Sequence, residues 1–391
     1  MKGLVLEAQW QPRKDYTLSE FEKSTGKAIT GSSVWRYPRI KVETVPDPTP
    51  GPDDVVIRVS YCGVCGSDVH FYETDEDGYM LYPGLTKFPS VTGHELSGVV
   101  EEVGKNVRDL QVGTPVTCEE MIWCGHCVPC RNGFPNHCVN LEEIGFTING
   151  GFAEYLVIDA KFCWPIDAIF ERYSDAEKAR QAAAFCEPTS VAYNGMFIRG
   201  GGFQPGANVV VFGAGPIGLA AIALARAAGA AKVIAFEVSE RRRTLARELG
   251  ADEAFDPVAS AQNGAKPADL IMQLTGGEGA DMHVEAAGFM SGTVPIMESS
   301  LAINGRMVII GRAATRVPMY LENLQVRRSQ VYGAQGHSGH AIFPSVIRLM
   351  AAGRIDMTKA VTAIATLDQA VSAIERLSRD RSEGKIQVRL S

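Results

Sequence analysis

The 391-residue chain has no run of about eighteen apolar residues, the minimum for a membrane-spanning helix. It also lacks a long basic block, and its net charge is -7. Nucleic acids and anionic membrane surfaces select basic patches, so neither is expected as a partner. The first apolar run ends at Glu7, which predicts a short strand rather than a signal peptide.

The nine cysteines lack the pattern of a disulfide framework. Their number is odd, and no export signal precedes them in this long chain. Free thiols and metal ligands are the expected uses of cysteine, and the chain is predicted to be cytoplasmic. Its length and its 46% apolar content are sufficient for two full-sized domains.

Short runs with a period of two, such as 39–45 and 54–60, dominate the chain up to about residue 175. Such runs, interrupted by Pro and Gly, are typical of antiparallel β-structure. Residues 10–35 are polar and poorly periodic, and we interpret them as a surface excursion without evident chemistry. The first domain is therefore predicted to be mainly β, with reactive residues on its loops.

Two segments of this β region collect side chains that bind metals or move protons. The first contains Cys65, Ser67 and His70, and the second, 24 residues after His70, contains His94 and Glu95. A thiolate, an imidazole and a carboxylate suit a catalytic zinc ion that keeps a position open for water or substrate. Each residue alone could equally be an ordinary packed or exposed side chain, so the prediction depends on the set.

A loop with four cysteines gives the strongest metal signal. Their spacings of three, three and eight residues allow four thiolates to close a tetrahedron around a structural zinc ion. An iron–sulfur cluster and two disulfides are the competing interpretations. With the catalytic site, this loop predicts two zinc ions per chain, the structural one held by Cys124, Cys127, Cys130 and Cys138.

Ala-rich helical sequence follows the β region and leads to Cys186 and Glu187. A carboxylate in a largely apolar stretch must be paired or bound to a cation. Glu187 is therefore predicted to complete the catalytic zinc set. Cys186 is the alternative ligand, because thiolates bind zinc well. Neighbours on a helix point in different directions, so the two residues are alternatives.

A buried strand, 209–212, runs directly into a glycine-rich turn and a helix. In such a motif the first glycine makes the turn, the second lets the backbone approach a pyrophosphate, and the third lets the helix pack on the strand. The sequence predicts a dinucleotide site whose turn includes Gly213, Gly215, Pro216, Ile217 and Gly218.

The next strand ends at Glu237, 24 residues after Gly213. A carboxylate there binds the ribose hydroxyls of NAD and repels the additional phosphate of NADP. Arg241 and Arg242 follow and could offset that repulsion, so the predicted preference for NAD is not strict. The strand ends near Ala287 and Gly311 are also predicted to contribute to the cofactor site, together with Arg242.

Alternating strands and helices continue to about residue 334, which predicts a doubly wound parallel sheet. A last strand at 385–390 is expected to rejoin the first domain. The predicted organisation is a catalytic domain at 1–185, a dinucleotide-binding domain at 186–334, and a return to the catalytic domain at 335–391.

The order of these motifs resembles the zinc-dependent medium-chain dehydrogenases, the family of alcohol, sorbitol and threonine dehydrogenases. The resemblance covers the GVCGSDVH, GHE, four-cysteine and GAGPIG segments from end to end. It implies an α/β protein with a GroES-like, mainly-β catalytic domain and an inserted Rossmann domain. It also implies that Cys65 and His94 bind the catalytic zinc, with Glu95 and Glu187 binding directly or through water. A homo-oligomer, dimer or tetramer, is expected.

Alcohol dehydrogenases of this family have a cysteine where Glu187 falls, whereas the polyol and threonine branch has glutamate followed by proline, as here. Segments 123–127, 187–194 and 335–340 resemble the inosose dehydrogenases. The resemblance implies NAD-dependent oxidation of a secondary hydroxyl on a cyclic polyol or keto-inositol. A threonine-, sorbitol- or 2,3-butanediol-type dehydrogenase is the alternative.

The expected chemistry gives each polar residue of the first segment a role. Ser67 is predicted to accept the substrate proton and His70 to pass it to solvent, while Asp68 is predicted to orient His94. A regulator that had lost catalysis would lack a zinc ligand or a relay residue. A zinc-free reductase would lack Cys65, His94 and the four cysteines; the sequence has them all.

Overall fold

The computed structural model describes residues 1–313 and 316–391. The strands are β1 (Lys2–Trp10), β2 (Trp35–Thr44), β3 (Asp54–Gly63), β4 (Ser90–Val91), β5 (Glu95–Val103), β6 (Pro115–Cys118), β7 (Met121–Ile122), β8 (Glu142–Glu143), β9 (Tyr155–Asp159), β10 (Cys163–Pro165), β11 (Asn208–Phe212), β12 (Lys232–Phe236), β13 (Glu253–Phe255), β14 (Ala280–Glu285), β15 (Leu301–Ile309), β16 (Gln330–Gly333), β17 (Val361–Thr366) and β18 (Lys385–Arg389).

The α-helices are α1 (Glu20–Thr25), α2 (Gly31–Val34), α3 (Gly66–Tyr72), α4 (Val128–Arg131), α5 (Asp167–Arg172), α6 (Ala176–Ala184), α7 (Cys186–Tyr193), α8 (Pro216–Ala227), α9 (Glu240–Glu248), α10 (Pro257–Gln262), α11 (Pro267–Leu274), α12 (Met290–Ser299), α13 (Leu321–Val326), α14 (Ile342–Ala351) and α15 (Ala370–Arg379). Among the described residues, no helix has the length and apolar character to cross a membrane.

The chain forms two compact units, and the second is inserted into the first. The first unit comprises Met1–Glu187, Ala363–Arg381 and Lys385–Ser391, and the second comprises Pro188–Thr362 and Ser382–Gly384.

The return to the first unit thus comes later than residue 335, where the sequence placed it. The reason is packing, because the 3-10 helix Met357–Ala360 contacts α8 and α9 of the second unit.

The first unit is built on an antiparallel sheet with the strand order β10-β6-β5-β3-β18-β17, in which β9 also pairs with β3. Alternate residues of these strands, such as Val55, Ile57 and Val59, are completely buried in one apolar core, as their period-two pattern predicts. Strand β18, from the end of the chain, lies beside β3 and therefore next to the segment that carries Cys65.

The excursion at residues 10–35 contributes to packing, contrary to the interpretation of a purely surface segment. Trp10 packs edge-on against Trp35 at 5.0 Å between ring centroids, and Trp35 packs against Phe88 at 5.2 Å. Phe88 in turn contacts Phe71 of α3 at 5.6 Å. The excursion therefore supports the helix that bears His70, through aromatic contacts that a search for periodicity does not detect.

The second unit contains a parallel sheet with the order β13-β12-β11-β14-β15-β16. This is the strand order of a dinucleotide-binding fold, in which ligands bind where the order reverses, between β11 and β14. Phe212 pairs in register with both Phe236 and Glu285, so the carboxyl ends of these strands meet at one edge. The predicted fold class is confirmed.

Candidate active site

Strand pairing brings the two predicted zinc segments together. Gly63, the last residue of β3, is the register partner of Glu95, the first residue of β5. Helix α3 begins directly after Cys65, whose amide donates to Asp68 Oδ2 at 2.8 Å. His94 immediately precedes β5, so its ring and the Cys65 thiol lie at the same end of the sheet.

Cys65, His94 and Glu95 each offer one ligand atom, and these three atoms lie within 4.8 Å of one another. His94 and Glu95 are buried, and His94 Nδ1 has no hydrogen-bond partner among the described residues. The ring of His94 also packs against Phe146 at 4.7 Å. A buried orphan imidazole nitrogen beside a thiol and a carboxylate fits zinc. Burial opposes the charged imidazole, but the Cys65 thiolate raises the pKa of His94 well above its usual value.

Glu187 is not part of that three-residue group. It lies in the first turn of α7, is 5% exposed, and has a carboxylate oxygen within 4.8 Å of an oxygen of Glu120. The negative charge of Glu187 nevertheless interacts with His94 and helps to raise the pKa of that imidazole. The predicted fourth ligand therefore lies close to the group and adjoins a second carboxylate.

Glu120 lies two residues after the end of β6. Its side chain is 6% exposed, and burial, followed by repulsion from Glu143, raises its pKa well above the usual value. Two carboxylates this close and this deeply buried need a proton or a cation between them. In the sequence, the signal for this residue is the Glu119-Glu120 pair directly after the apolar strand β6.

The proton-relay residues occupy α3. Ser67 Oγ is buried and has no hydrogen-bond partner among the described residues, while His70 lies partly exposed in the last turn. Burial raises the pKa of Asp68 to about 6. Its hydrogen bond comes from the Cys65 amide, and its influence on His94 is Coulombic. Asp68 thus caps α3, a role that differs from the predicted one of orienting His94.

Lys385 is a site residue that sequence reasoning missed. Its buried ammonium donates to Glu95 Oε1 at 2.7 Å and Oε2 at 2.5 Å, and to the Val64 carbonyl at 2.9 Å. Burial opposes the charge, but Glu95 raises the pKa of Lys385 above its usual value. A lysine at the start of an otherwise apolar-alternating terminal strand was the only signal in the sequence.

The four loop cysteines form a second compact group. The Sγ atoms of Cys124, Cys127, Cys130 and Cys138 all lie within 4.8 Å of one another, and none of them forms a disulfide. The amides of Cys124 and Asn140 donate to Cys138 Sγ at 3.4 and 3.3 Å. A backbone hydrogen bond from His126 lowers the pKa of Cys124 to about 6. Closely grouped thiols with amide donors fit a closed, four-thiolate zinc site.

The glycine-rich turn has the geometry that the motif requires. Gly213 has a φ of +85°, and a Cβ there would lie 2.8 Å from Ala287 Cα. A Cβ on Gly218 would lie 1.9 Å from the Gly213 carbonyl oxygen. Gly215 caps α8, with Pro216 and Ile217 in the first turn, so the helix N-terminus is open to a phosphate.

Glu237 directly follows β12, and its carboxylate is 7% exposed. Its oxygens accept hydrogen bonds from the amides of Ala214 at 2.8 Å and Ser239 at 2.9 Å, which fix the carboxylate beside the glycine turn.

Arg242 Nε donates to the Glu383 carbonyl at 2.8 Å, and Arg241 pairs with the Glu383 carboxylate at 2.9 Å. Arg242 Nη1 would also lie 3.8 Å from a Cβ on Gly215, so this arginine adjoins the glycine turn, and the offset of the Glu237 charge stays a prediction.

Ala287 and Gly311 lie at the ends of neighbouring strands. The Ala287 amide donates to a Glu285 carboxylate oxygen at 3.2 Å, and the Gly311 amide donates to the Glu285 carbonyl at 2.9 Å. A Cβ on Gly311 would lie 2.3 Å from Glu285 Oε2. Both residues therefore belong to the edge of the sheet where Gly213 turns.

Residues 51–168 match the alcohol dehydrogenase GroES-like domain, and residues 216–352 match the zinc-binding dehydrogenase domain. These matches agree with the candidate zinc site at Cys65 and His94 and with the dinucleotide-binding fold of the second unit. Together they define the class of enzyme. The chain belongs to the zinc-dependent medium-chain dehydrogenases, which act on CH–OH groups.

Among individual proteins, the chain is similar to scyllo-inosose 3-dehydrogenase of Thermotoga maritima, with 45% identity over 99% of each chain. It is more distantly similar to L-threonine 3-dehydrogenase of Thermococcus kodakarensis, with 32% identity over 81% of this chain and 84% of the relative. A solved alcohol dehydrogenase structure from Thermotoga maritima superposes with a TM-score of 0.94, at 45% identity and 99% coverage of each chain.

Proposed function

We propose that this enzyme oxidises a secondary hydroxyl of a cyclic polyol or keto-inositol to a ketone, with NAD as the hydride acceptor. The observation that carries the proposal is the 45% identity, over 99% of each chain, to a relative named scyllo-inosose 3-dehydrogenase. The carboxylates of Glu120 and Glu187, both of which interact electrostatically with His94, support it, because they make the site rich in oxygen. Such a site suits a polyhydroxylated substrate.

In this proposal Cys65, His94 and Glu95 hold the catalytic zinc, and Glu187 binds it directly or through water. Zinc at such a site lowers the pKa of a bound hydroxyl and polarises its carbon–oxygen bond. The four loop cysteines hold a second, structural zinc, which gives two ions per chain. Metal analysis of the purified protein tests that number.

The remaining residues bind substrate and cofactor and move the proton. Ser67 accepts the hydroxyl proton as it donates its own proton towards the cofactor ribose, and His70 passes that proton to solvent. The Glu237 carboxylate holds the ribose hydroxyls of NAD, and the amides at the α8 N-terminus hold its phosphates.

Of four polar or aromatic side chains near the ligand loops, Tyr72, Glu119, Glu120 and Trp123, Glu120 is the best placed to bind a substrate hydroxyl. Glu119 accepts from Trp164 at 3.1 Å, Trp123 packs on Phe162 at 5.4 Å, and Tyr72 bonds a surface glutamate. Those three are occupied in packing or at the surface, whereas Glu120 adjoins Glu187.

A linear secondary alcohol is the alternative substrate, favoured by the 32% identity to a threonine dehydrogenase. A threonine-, sorbitol- or butanediol-type enzyme would use the same zinc and cofactor residues. NADH formation with inososes, inositols, sorbitol, L-threonine, 2,3-butanediol and ethanol separates the two. The proposal expects turnover of a ring polyol, and activity confined to linear substrates would contradict it.

We also propose a cytoplasmic homo-oligomer, either a dimer or a tetramer. The nine free cysteines support a reducing compartment. Several large apolar side chains of the second unit are exposed near the edge strand β16, which supports self-association. Examples are Ile303, Leu321 and Val326, which are 67%, 69% and 68% exposed. Light scattering at several concentrations tests the oligomeric state.

A further inference from the structure

The strongest unassigned feature of the second unit is a short segment from near the end of the chain, Ser382–Gly384, which packs against helix α9. A Cβ on Gly384 would lie 2.8 Å from Leu245 Cδ1 and would also collide with the Ala360 carbonyl oxygen, so the backbone approaches its neighbours closely. The Gly384 amide donates to Thr362 Oγ1 at 3.1 Å. The segment therefore has a defined position beside α9.

The middle residue of this segment contacts two arginines in the first turn of α9. Arg241 Nη1 forms an ion pair with the Glu383 carboxylate at 2.9 Å, and Arg242 Nε donates to the Glu383 carbonyl at 2.8 Å. The Glu383 side chain is 11% exposed, whereas that of Arg241 is 48% exposed. Glu383 thus engages each arginine through a different group, one charged and one neutral.

These two contacts place the arginines differently. With its Nε on the Glu383 carbonyl, Arg242 keeps Nη1 near the glycine turn, 3.8 Å from the position of a Cβ on Gly215. The charge of Arg241 is instead compensated by the Glu383 carboxylate, and its Nη2 donates to the Thr362 carbonyl at 3.5 Å. Of the two, Arg241 is therefore the arginine whose charge depends on Glu383.

This ion pair bears on the choice between NAD and NADP. The 2′-phosphate of NADP is strongly negative, and a nearby arginine is the usual group that accommodates it. Arg241 follows Glu237 by four residues and lies in the helix that begins beside that carboxylate. Because Glu383 compensates the charge of Arg241, the carboxylate of Glu237 keeps its repulsion of an additional phosphate.

We propose that Glu383 is a positioning residue for cofactor choice, whose carboxylate holds Arg241 in an ion pair and keeps that arginine from neutralising the 2′-phosphate of NADP. The proposal rests on the proposed function, in which Glu237 holds the ribose hydroxyls of NAD. It extends the choice of cofactor to a residue that is distant from Glu237 in the chain.

The binding of NADH and NADPH, measured by calorimetry, tests the proposal without requiring turnover. The measured quantity is the ratio of the Kd for NADPH to the Kd for NADH. The variants are Glu383→Gln, Arg241→Gln and the double variant. Glu383→Gln removes the charge but keeps the backbone carbonyl to which Arg242 donates.

Asp252→Asn is the matched control. Asp252 pairs with Arg226 at 2.6 Å in the same unit, so this variant also removes an acidic partner from an arginine. Asp252 accepts from the Val233 amide at 2.7 Å and so lies at the start of β12, whereas Glu237 follows the end of that strand.

For Glu383→Gln we expect the ratio to fall by about tenfold, because Arg241 becomes available to the 2′-phosphate. For Arg241→Gln we expect the ratio to rise, because the charge of Glu383 is left uncompensated. The double variant should lack the gain of Glu383→Gln, and Asp252→Asn should keep the wild-type ratio.

An unchanged ratio in folded Glu383→Gln, or a gain that persists in the double variant, would overturn the proposal. If Glu383→Gln does not fold, the rise expected for Arg241→Gln remains the test, and an unchanged ratio there would overturn it as well. An ion pair that only stabilised the fold would weaken the binding of both cofactors equally.

Wild type and Glu237→Ser separate these outcomes from failure of the proposed function. A wild type that binds neither cofactor, or binds NADPH more tightly than NADH, contradicts the proposed function itself. If wild type prefers NADH and Glu237→Ser lowers the ratio while Glu383→Gln leaves it unchanged, only the role of Glu383 is wrong.

Discussion

His283 should make the stability of the second unit depend on pH. The side chain is completely buried in β14, where its Nε2 lies 3.2 Å from Ser300 Oγ. Burial lowers its pKa to about 3, against an ordinary value of 6.5. The folded protein therefore keeps the ring neutral, while the unfolded chain takes up a proton below about pH 6.5. Stability should be complete above that pH and should fall as the pH is lowered towards 3.

The size of the effect follows from the same values. A pH of about 5 lies about 1.5 units below the pKa of His283 in the unfolded chain. Protonation there stabilises the unfolded state by about 2 kcal/mol, and the folded state, whose ring stays neutral, has no matching gain. For a unit of this size, that corresponds to a loss of about 4 to 8 °C in Tm.

The assay compares wild type with His283→Gln, which cannot titrate, by calorimetry at about pH 8 and pH 5. Hydrogen exchange of peptides from β14 assigns the transition to the second unit. Metal release at low pH affects both proteins, so the difference between their pH dependences isolates His283. His340→Gln, at an exposed position in the same unit, is the control. An equal pH-dependent loss of Tm in wild type and His283→Gln would refute the reasoning.

Three further predictions concern the site. Cys130→Ser should lose one zinc equivalent and much of the stability of the loop, since closing a thiolate site contributes folding free energy of order ~10 kcal/mol in small zinc peptides; unchanged zinc by mass spectrometry would contradict this. Glu237→Ser should raise the KM for NAD by about tenfold or more and improve the use of NADP; a wild type that already prefers NADP would exclude the assignment. Glu120→Gln should lower kcat/KM for a ring polyol by about tenfold, or 1.4 kcal/mol, with unchanged zinc content. Glu119→Gln, whose carboxylate bonds Trp164, should instead mainly lower stability; equal effects of both variants on kcat/KM would refute the role of Glu120.

The residues that the sequence predicted correctly as neighbours are those whose chemistry is local in the chain. The turn at 213–218 needs glycines at fixed positions, so their spacing in the sequence predicts the strand-turn-helix geometry directly. The four cysteines lie within fifteen residues and have few ways to meet. Cys65 and His94 were grouped by their metal-binding chemistry and by the resemblance to the family, and the register of β3 with β5 is what brings them together in the structure.

The features that were missed depend on long-range packing. Lys385 reaches Glu95 only because β18 returns to pair with β3, and no local pattern specifies that partner. The excursion at 10–35 contributes single aromatic residues to the cluster around Trp35 and Phe88. Single residues give no periodic pattern, so the sequence did not predict their burial. Asp68 was predicted to be an acceptor that orients His94, but its carboxylate accepts a hydrogen bond from the Cys65 amide and so caps α3.

The most direct test of the central claim is the ratio of kcat/KM for scyllo-inosose to that for L-threonine, measured by NADH formation with wild type and with Cys65→Ser. Wild type should show a ratio above about tenfold, which needs only about 1.4 kcal/mol of discrimination, and Cys65→Ser should lose both activities. Efficient turnover of L-threonine with none of any ring polyol, or full activity without the Cys65 thiol, would contradict it.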